Sequence, residues 1–173
     1  RNRIRSDIDL ASYIDAAVLK TESSAGDIEK LCAESIEYHY KAIFVNPSFT
    51  AMCARLLKGS GVRLGSVAGF PLGATTTEVK IFEGQEGENH GADEIDMVID
   101  RGAFLAGRYL DVYDDIVATK QACGDAHLKV ILETAALTQR ELTSLPEGLT
   151  PSVPVCSSDG RWLAFTAARG ALA

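Results

Sequence analysis

The chain has 173 residues, of which 46% are hydrophobic and 24% charged, with a formal net charge of -7. That length suits one domain with a real core, and the composition is that of an ordinary globular protein. The acidic balance argues against a general nucleic-acid binder, which needs a basic face, but leaves room for a small phosphorylated ligand held by a few local donors.

Tyr13 to Leu19 reads as a first strand. Ser23-Ser24-Ala25-Gly26-Asp27 supplies capping residues, and Ile28, Leu31, Cys32, Ser35 and Ile36 follow at helical spacing. Ala42 to Asn46 is a second strand, closed by Pro47, and Phe49 to Leu57 a second helix, ended by Gly59-Ser60-Gly61. Val62 to Ala68 is a third strand that runs into Gly69-Phe70-Pro71-Leu72-Gly73. Thr75-Thr76-Thr77-Glu78 opens a third helix with capping chemistry. Gly84 and Gly87 within it each cost about 1 kcal/mol relative to alanine, which predicts a weak helix. Ile95 to Ile99 is a fourth strand, Leu110 to Ala122 a fourth helix, and Leu128 to Glu133 a fifth strand.

Short apolar strands alternating with amphipathic helices are the signature of β/α units and a parallel sheet. The strands are nearly continuously apolar, as expected when both faces are covered. Five such units fit either the first part of a TIM-type (β/α) barrel or a complete doubly wound sheet. Length favours the second, since barrels usually need about 250 residues, whereas the motifs favour the first, and the expected fold is a partial TIM-type (β/α) barrel. No Gly-x-Gly-x-x-Gly follows the first strand, which weakens a nucleotide-binding version of it.

The alternation stops after Glu141. Residues 143–173 hold three of the five prolines, Pro146, Pro151 and Pro154, and one apolar cluster, Trp162 to Phe165. The expected organisation is therefore five β/α units over residues 1–142 and an irregular Pro/Ser-rich tail over 143–173. The sequence starts at Arg1 and has its first methionine at Met52. Together with the change after Glu141, this suggests an incomplete or frame-shifted chain. The four cysteines, Cys32, Cys53, Cys123 and Cys156, lack metal-ligand spacing and read as reduced thiols of a cytoplasmic protein. No apolar run reaches the roughly 18 residues of a membrane helix, and the N-terminal stretch lacks a signal-peptide pattern.

Asp96 stands inside the apolar run Ile95 to Ile99. Burying an unpartnered carboxylate is expensive, so Asp96 must be paired, protonated or catalytic. In parallel barrels the catalytic groups project from the C-terminal ends of strands, and the polar groups on these strands are Asp15, Asn46, Asp96, Lys129 and Glu133. Asp96 and Lys129 lie on consecutive strands, which are usually neighbours. They could form a structural ion pair, or a device that holds Asp96 ionised with a proton nearby for acid/base work. Lys20 reads as a solvated loop residue. The glycines of Gly69 to Gly73 read as turn chemistry first and a phosphate cradle second. His39, His90 and His127 show no ligand spacing and take surface or capping roles.

Three segments, Gly69-Phe-Pro-Leu-Gly-Ala-Thr-Thr-Thr-Glu78, Gly91-Ala-Asp-Glu-Ile-Asp-Met-Val-Ile99 and Leu128-Lys-Val-Ile-Leu-Glu-Thr134, resemble the deoxyribose-phosphate aldolase family in order and spacing. Val45-Asn46-Pro47 fits as well, and the resemblance runs from about Tyr13 to Thr138. It implies a class I aldolase on a (β/α) barrel that needs no metal or other cofactor. Such an enzyme interconverts 2-deoxyribose 5-phosphate with acetaldehyde and glyceraldehyde 3-phosphate through a lysine Schiff base. The resemblance makes Asp96 the proton-relay aspartate and Lys129 the neighbouring lysine that tunes the site, with Asp15 and Asn46 in the substrate pocket. The implied partner is a small phosphorylated sugar or aldehyde, with no nucleic acid and no membrane, and a homo-oligomer is compatible with it.

The departures carry equal weight. The family's Schiff-base lysine lies in a Lys-Thr-Ser-Thr-Gly motif on the sixth strand, a second essential lysine lies on the seventh, and glycine-rich phosphate loops follow. None of these is found in the sequence. Ala17 stands where the family usually has a polar residue, and Phe44 where a small Cys is common. Lys129 is a poor substitute nucleophile, because a carboxylate beside it stabilises its charged form. The expectation is an aldolase-type chain that is inactive alone. The alternative is a non-catalytic half-barrel used for binding or assembly. Its open edge after the fifth strand would need cover, from the Trp162-containing tail or from another chain.

Overall fold

Each of the five apolar stretches forms a strand within two residues of its expected bounds: β1 (Asp15–Val18), β2 (Ala42–Val45), β3 (Arg63–Ala68), β4 (Glu94–Val98) and β5 (His127–Ile131). The computed structural model describes residues 10–133 and 136–137, and the backbone alone of 149–151, 155–156 and 163–169. Between the strands lie α1 (Ala25–Glu37), α2 (Pro47–Leu56), α3 (Thr77–Asn89), α4 (Arg101–Leu105) and α5 (Tyr109–Ala122).

β1 to β5 are parallel and pair in sequence order. A doubly wound sheet reverses its strand order at a switch point, and there is no reversal here, so the barrel-type arrangement holds over the length argument. Curvature points the same way. In a flat sheet four strand spacings would separate β1 from β5 by about 19 Å. Yet Lys129 Nζ on β5 lies 3.0 Å from Asp15 Oδ2 on β1, so the sheet is strongly curled around the face that carries both.

Strand residues alternate between two faces. Ala16, Val18, Ile43, Val45 and Leu64 pack against Ile28, Leu31, Cys32, Cys53 and Leu57. Ile95, Met97, Leu128 and Val130 pack with Phe104, Val112, Ile116 and Cys123. The concave face carries the intervening positions, Asp15, Phe44, Gly65, Glu94, Asp96 and Lys129.

The helices follow local rules with two exceptions. Ser24 caps α1 through a reciprocal box, its Oγ accepting from Asp27 N at 3.3 Å and Asp27 Oδ2 accepting from Ser24 N at 2.8 Å. At α3, Thr76 occupies the N-cap without a side-chain cap bond, unlike the expected capping there. The glycines that weaken α3 permit close approach: a Cβ on Gly84 would come within 2.8 Å of Cys123 Sγ, and one on Gly87 within 2.5 Å of Ile95 Cδ1. A fully buried Lys80–Asp115 ion pair at 2.5 Å ties α3 to α5. Helix α4 was not expected. Its five residues are too few to show a period, and Asp100 caps it by accepting from Ala103 N at 3.0 Å.

The tail, expected to be irregular, contains β6 (Leu149–Pro151), β7 (Val155–Cys156) and β8 (Leu163–Arg169). β8 runs antiparallel to β5, with Lys129 opposite Thr166 and Ile131 opposite Ala164, while β6 and β7 pair with β8. Expectations resting on residues 1–9, Thr134, Thr138, Glu141, Pro146, Pro154 and Trp162 lie outside the described residues, as does the Cys156 side chain. Among the described residues, no helix is long and apolar enough to cross a membrane.

Candidate active site

Parallel register sets Asp96 opposite Lys129, and the curl of the sheet brings in Asp15 and Glu94. The Lys129 ammonium lies 3.0 Å from Asp15 Oδ2, 3.1 Å from Glu94 Oε2 and 3.4 Å from Asp96 Oδ1. It also sits 3.9 Å above the centre of the Phe44 ring, a cation–π contact in a desolvated setting. The Lys129 side chain is 7% exposed, and the three carboxylates range from 2% to 15%. Two outer cations complete the group: Arg63 Nη1 is 3.2 Å from Glu94 Oε1, and Lys41 Nζ is 3.9 Å from Asp15 Oδ1.

The electrostatics separate these groups. Burial pushes the Asp96 carboxyl up; Lys129 opposes this, Glu94 and Asp15 add to it, and the outcome is about 7. Burial disfavours the Lys129 ammonium, but Asp96, Asp15 and Glu94 outweigh that and hold it above the ordinary lysine value. Burial also works against the Glu94 carboxylate, yet Lys129, Arg63 and Lys41 bring it below its usual range. The sequence left open that Lys129 holds Asp96 ionised. Lys129 does favour the ionised form, but one ammonium shared by three carboxylates only partly offsets the burial of Asp96. A carboxyl near 7 exists in both forms at neutral pH, as a group that both gives and takes a proton requires. Lys129 stays charged, which is the wrong state for a nucleophilic amine.

Phe44 is built into this site by its neighbour. A Cβ on Gly65 would lie 2.0 Å from Phe44 Cε1, so the ring occupies the space that glycine leaves. In register Phe44 also stands beside Ala17.

Other singled-out residues lie elsewhere. Asn46 is outside the Lys129 cluster, half-buried at the N-cap of α2, where its Nδ2 donates to Lys20 O at 3.4 Å. Lys20 is exposed, as expected. Glu133, beyond β5, pairs with Arg101, which also donates to Leu72 O at 3.2 Å. These contacts join the loops after β3, β4 and β5. In the Gly69–Gly73 loop, Gly73 N donates to Gly69 O at 2.7 Å, and Gly69 N donates to Glu83 Oε2 at 2.6 Å. The Gly69 amide is therefore engaged within the protein, which favours turn chemistry over a phosphate cradle. His90 Nδ1 lies 2.7 Å from Glu86 O at a helix end, His39 ends α1 at positive φ, and half-buried His127 opens β5.

Glu94 had no role in the sequence reading. The signal was present: two residues before Asp96 on the same strand, it must share that residue's face.

Five parallel β/α units in sequence order, curled around a lysine–carboxylate cluster on the concave face, are the arrangement of the first part of a (β/α) barrel. The model of the DeoC/LacD family aldolases matches residues 10–143, and the chain belongs to that family. It is 45% identical over 134 residues to a deoxyribose-phosphate aldolase of Staphylococcus carnosus, covering 78% of this chain and 61% of that protein. A solved structure from Coccidioides immitis superposes with a TM-score of 0.78 at 35% identity, covering 82% of this chain and 56% of the other. A deoxyribose phosphate aldolase from Aeropyrum pernix, described as a tetramer, gives 0.72 at 33% identity over 82% of this chain and 59% of its own. The chain thus spans about three-fifths of the length of the relatives it matches.

Proposed function

We propose that the chain is the β1–β5 portion of a deoxyribose-phosphate aldolase. Its activity would be carbon–carbon cleavage of 2-deoxyribose 5-phosphate to acetaldehyde and glyceraldehyde 3-phosphate. The observation that carries this is Asp96: a carboxyl near 7, held beside a charged lysine on the concave face of an aldolase-family sheet. Asp96 is the proton relay, Lys129 tunes it, and Asp15 helps hold Lys129 in place. Asn46 belongs to the substrate pocket at the strand ends. The buried free thiols of Cys32, Cys53 and Cys123 support a reducing, cytoplasmic setting. The tetrameric relative supports self-association.

The sequence contains no Lys-Thr-Ser-Thr-Gly segment, so the carbonyl-attacking lysine must come from elsewhere and the chain by itself is inactive. Borohydride trapping with deoxyribose 5-phosphate, followed by peptide mass analysis, tests this. The expected result is no adduct on the chain alone. An adduct on Lys129 would make that residue the nucleophile and overturn the proposal.

A non-catalytic half-barrel module is the second reading, favoured by β8 pairing along β5. A clean monomer on gel filtration supports a self-contained module. Defined oligomers support closure by another chain.

A further inference from the structure

We infer that Glu94 is a positioning residue of this site: anchored at one oxygen by Arg63, it fixes the Lys129 ammonium with the other and so governs which carboxylate carries the mobile proton. The inference deepens the proposed aldolase function and rests on it for its relevance to catalysis.

The geometry is specific. Glu94 is 2% exposed at its side chain, a placement carboxylates almost never adopt without partners. Oε1 meets Arg63 Nη1 at 3.2 Å and Oε2 meets Lys129 Nζ at 3.1 Å. In register Lys129 is opposite Asp96, and Glu94 is opposite His127. Even so, the ammonium donates to Asp15 Oδ2 at 3.0 Å and lies nearer Glu94 than Asp96, at 3.1 against 3.4 Å, with both nearer carboxylates toward the N-terminal end of the sheet. Lys129 therefore leans back along the sheet, toward the N-terminal end of β4. Two effects on Asp96 follow from that lean. It receives a smaller share of the ammonium, and it faces a second fixed negative charge on its own strand. Both favour its protonated form. The charged groups around Asp96 are Lys129, Glu94 and Asp15 directly, with Arg63, Lys41 and His127 behind them.

The test is carboxyl-carbon NMR titration of Asp96 and Glu94 in the intact chain and in E94Q and E94D. E94Q is expected to lower the Asp96 midpoint by at least about half a pH unit, whereas E94D, which keeps the charge, returns it toward the wild-type value. A purely structural Glu94 would lower the melting temperature and leave the Asp96 midpoint unchanged, and that result overturns the inference. The wild-type protein supplies an independent measurement should E94Q fail to fold. Glu94 must titrate below Asp96, and the reverse order is equally fatal. The titration needs no turnover, so a failed aldolase assay would leave its outcome standing.

Discussion

Lys129 pairs in register with Asp96, but its ammonium is closest to Asp15, 114 positions earlier on the far strand of the parallel run. One buried cation thus joins β1, β4 and β5 across the concave face. Fold and site depend on the same side chain.

Replacing Lys129 by Met should be severe on both counts. It leaves three carboxylates facing one another with no internal cation, and breaking a buried pair on one side costs about 3–5 kcal/mol. Urea unfolding measures the loss of stability, and NMR titration should show the Asp96 midpoint moving up from about 7. An Asp96 midpoint that stays put or falls would show that Lys129 is not its main counter-charge.

Asp96 gives a stability signature with a definite sign. Its folded value of about 7 exceeds its ordinary 3.8, so between those values the folded chain holds more protons than the unfolded one. Stability from this group is therefore greatest at the acidic end and is lost as pH rises toward 7. Glu94, held below its ordinary 4.5, acts oppositely and loses its contribution only in more acidic solution. The stability of D96N relative to the wild type should accordingly rise as pH goes from about 5 to about 8. Denaturation midpoints across that range check this, and a flat difference would place Asp96 at an ordinary carboxylate value.

The Phe44–Gly65 fit predicts a compensated pair. G65A drives a methyl group into the ring and should cost about 1–3 kcal/mol through overpacking. Adding F44A should remove most of the G65A penalty. A double-mutant cycle reads the coupling directly, and simple additivity would mean the ring moves aside freely.

The buried Lys80–Asp115 bridge between α3 and α5 should be worth more as a pair than either partner alone. K80M strands Asp115 in the core, with an expected cost of about 3–5 kcal/mol. The double change K80M/D115L should recover much of that loss in a thermal unfolding assay. If it proved no more stable than K80M, packing and not charge would be limiting.

How much of this the sequence revealed varies with the range of the interaction. The β/α alternation and the Asp96–Lys129 pair were legible, because consecutive strands are neighbours and strand periodicity fixes their faces. Asp15 was noticed as a polar group, but its contact with Lys129 comes from sheet curvature, which no local pattern encodes. Glu94 stands next to Asp93 at the start of a strand, where an acid is ordinarily solvated. Its burial depends on Arg63 and Lys129 converging from two other strands. The balance of charges at Asp96 was hidden for a related reason. Counting one lysine beside one aspartate overlooks two more carboxylates that compete for the same ammonium. Phe44 stood out only as a larger residue where a small Cys is common, and its fit over Gly65 needs the strand register.

The backbone of β5 has one outer row of amide and carbonyl groups, and β8 uses it. A sixth parallel strand in a closed barrel would need that same row. A complementing segment can therefore finish the barrel only by strand exchange, peeling β8 away before it docks. Restoration of activity by such a segment should then be slow and limited by release of the tail, instead of simply rising with the concentration of the segment added.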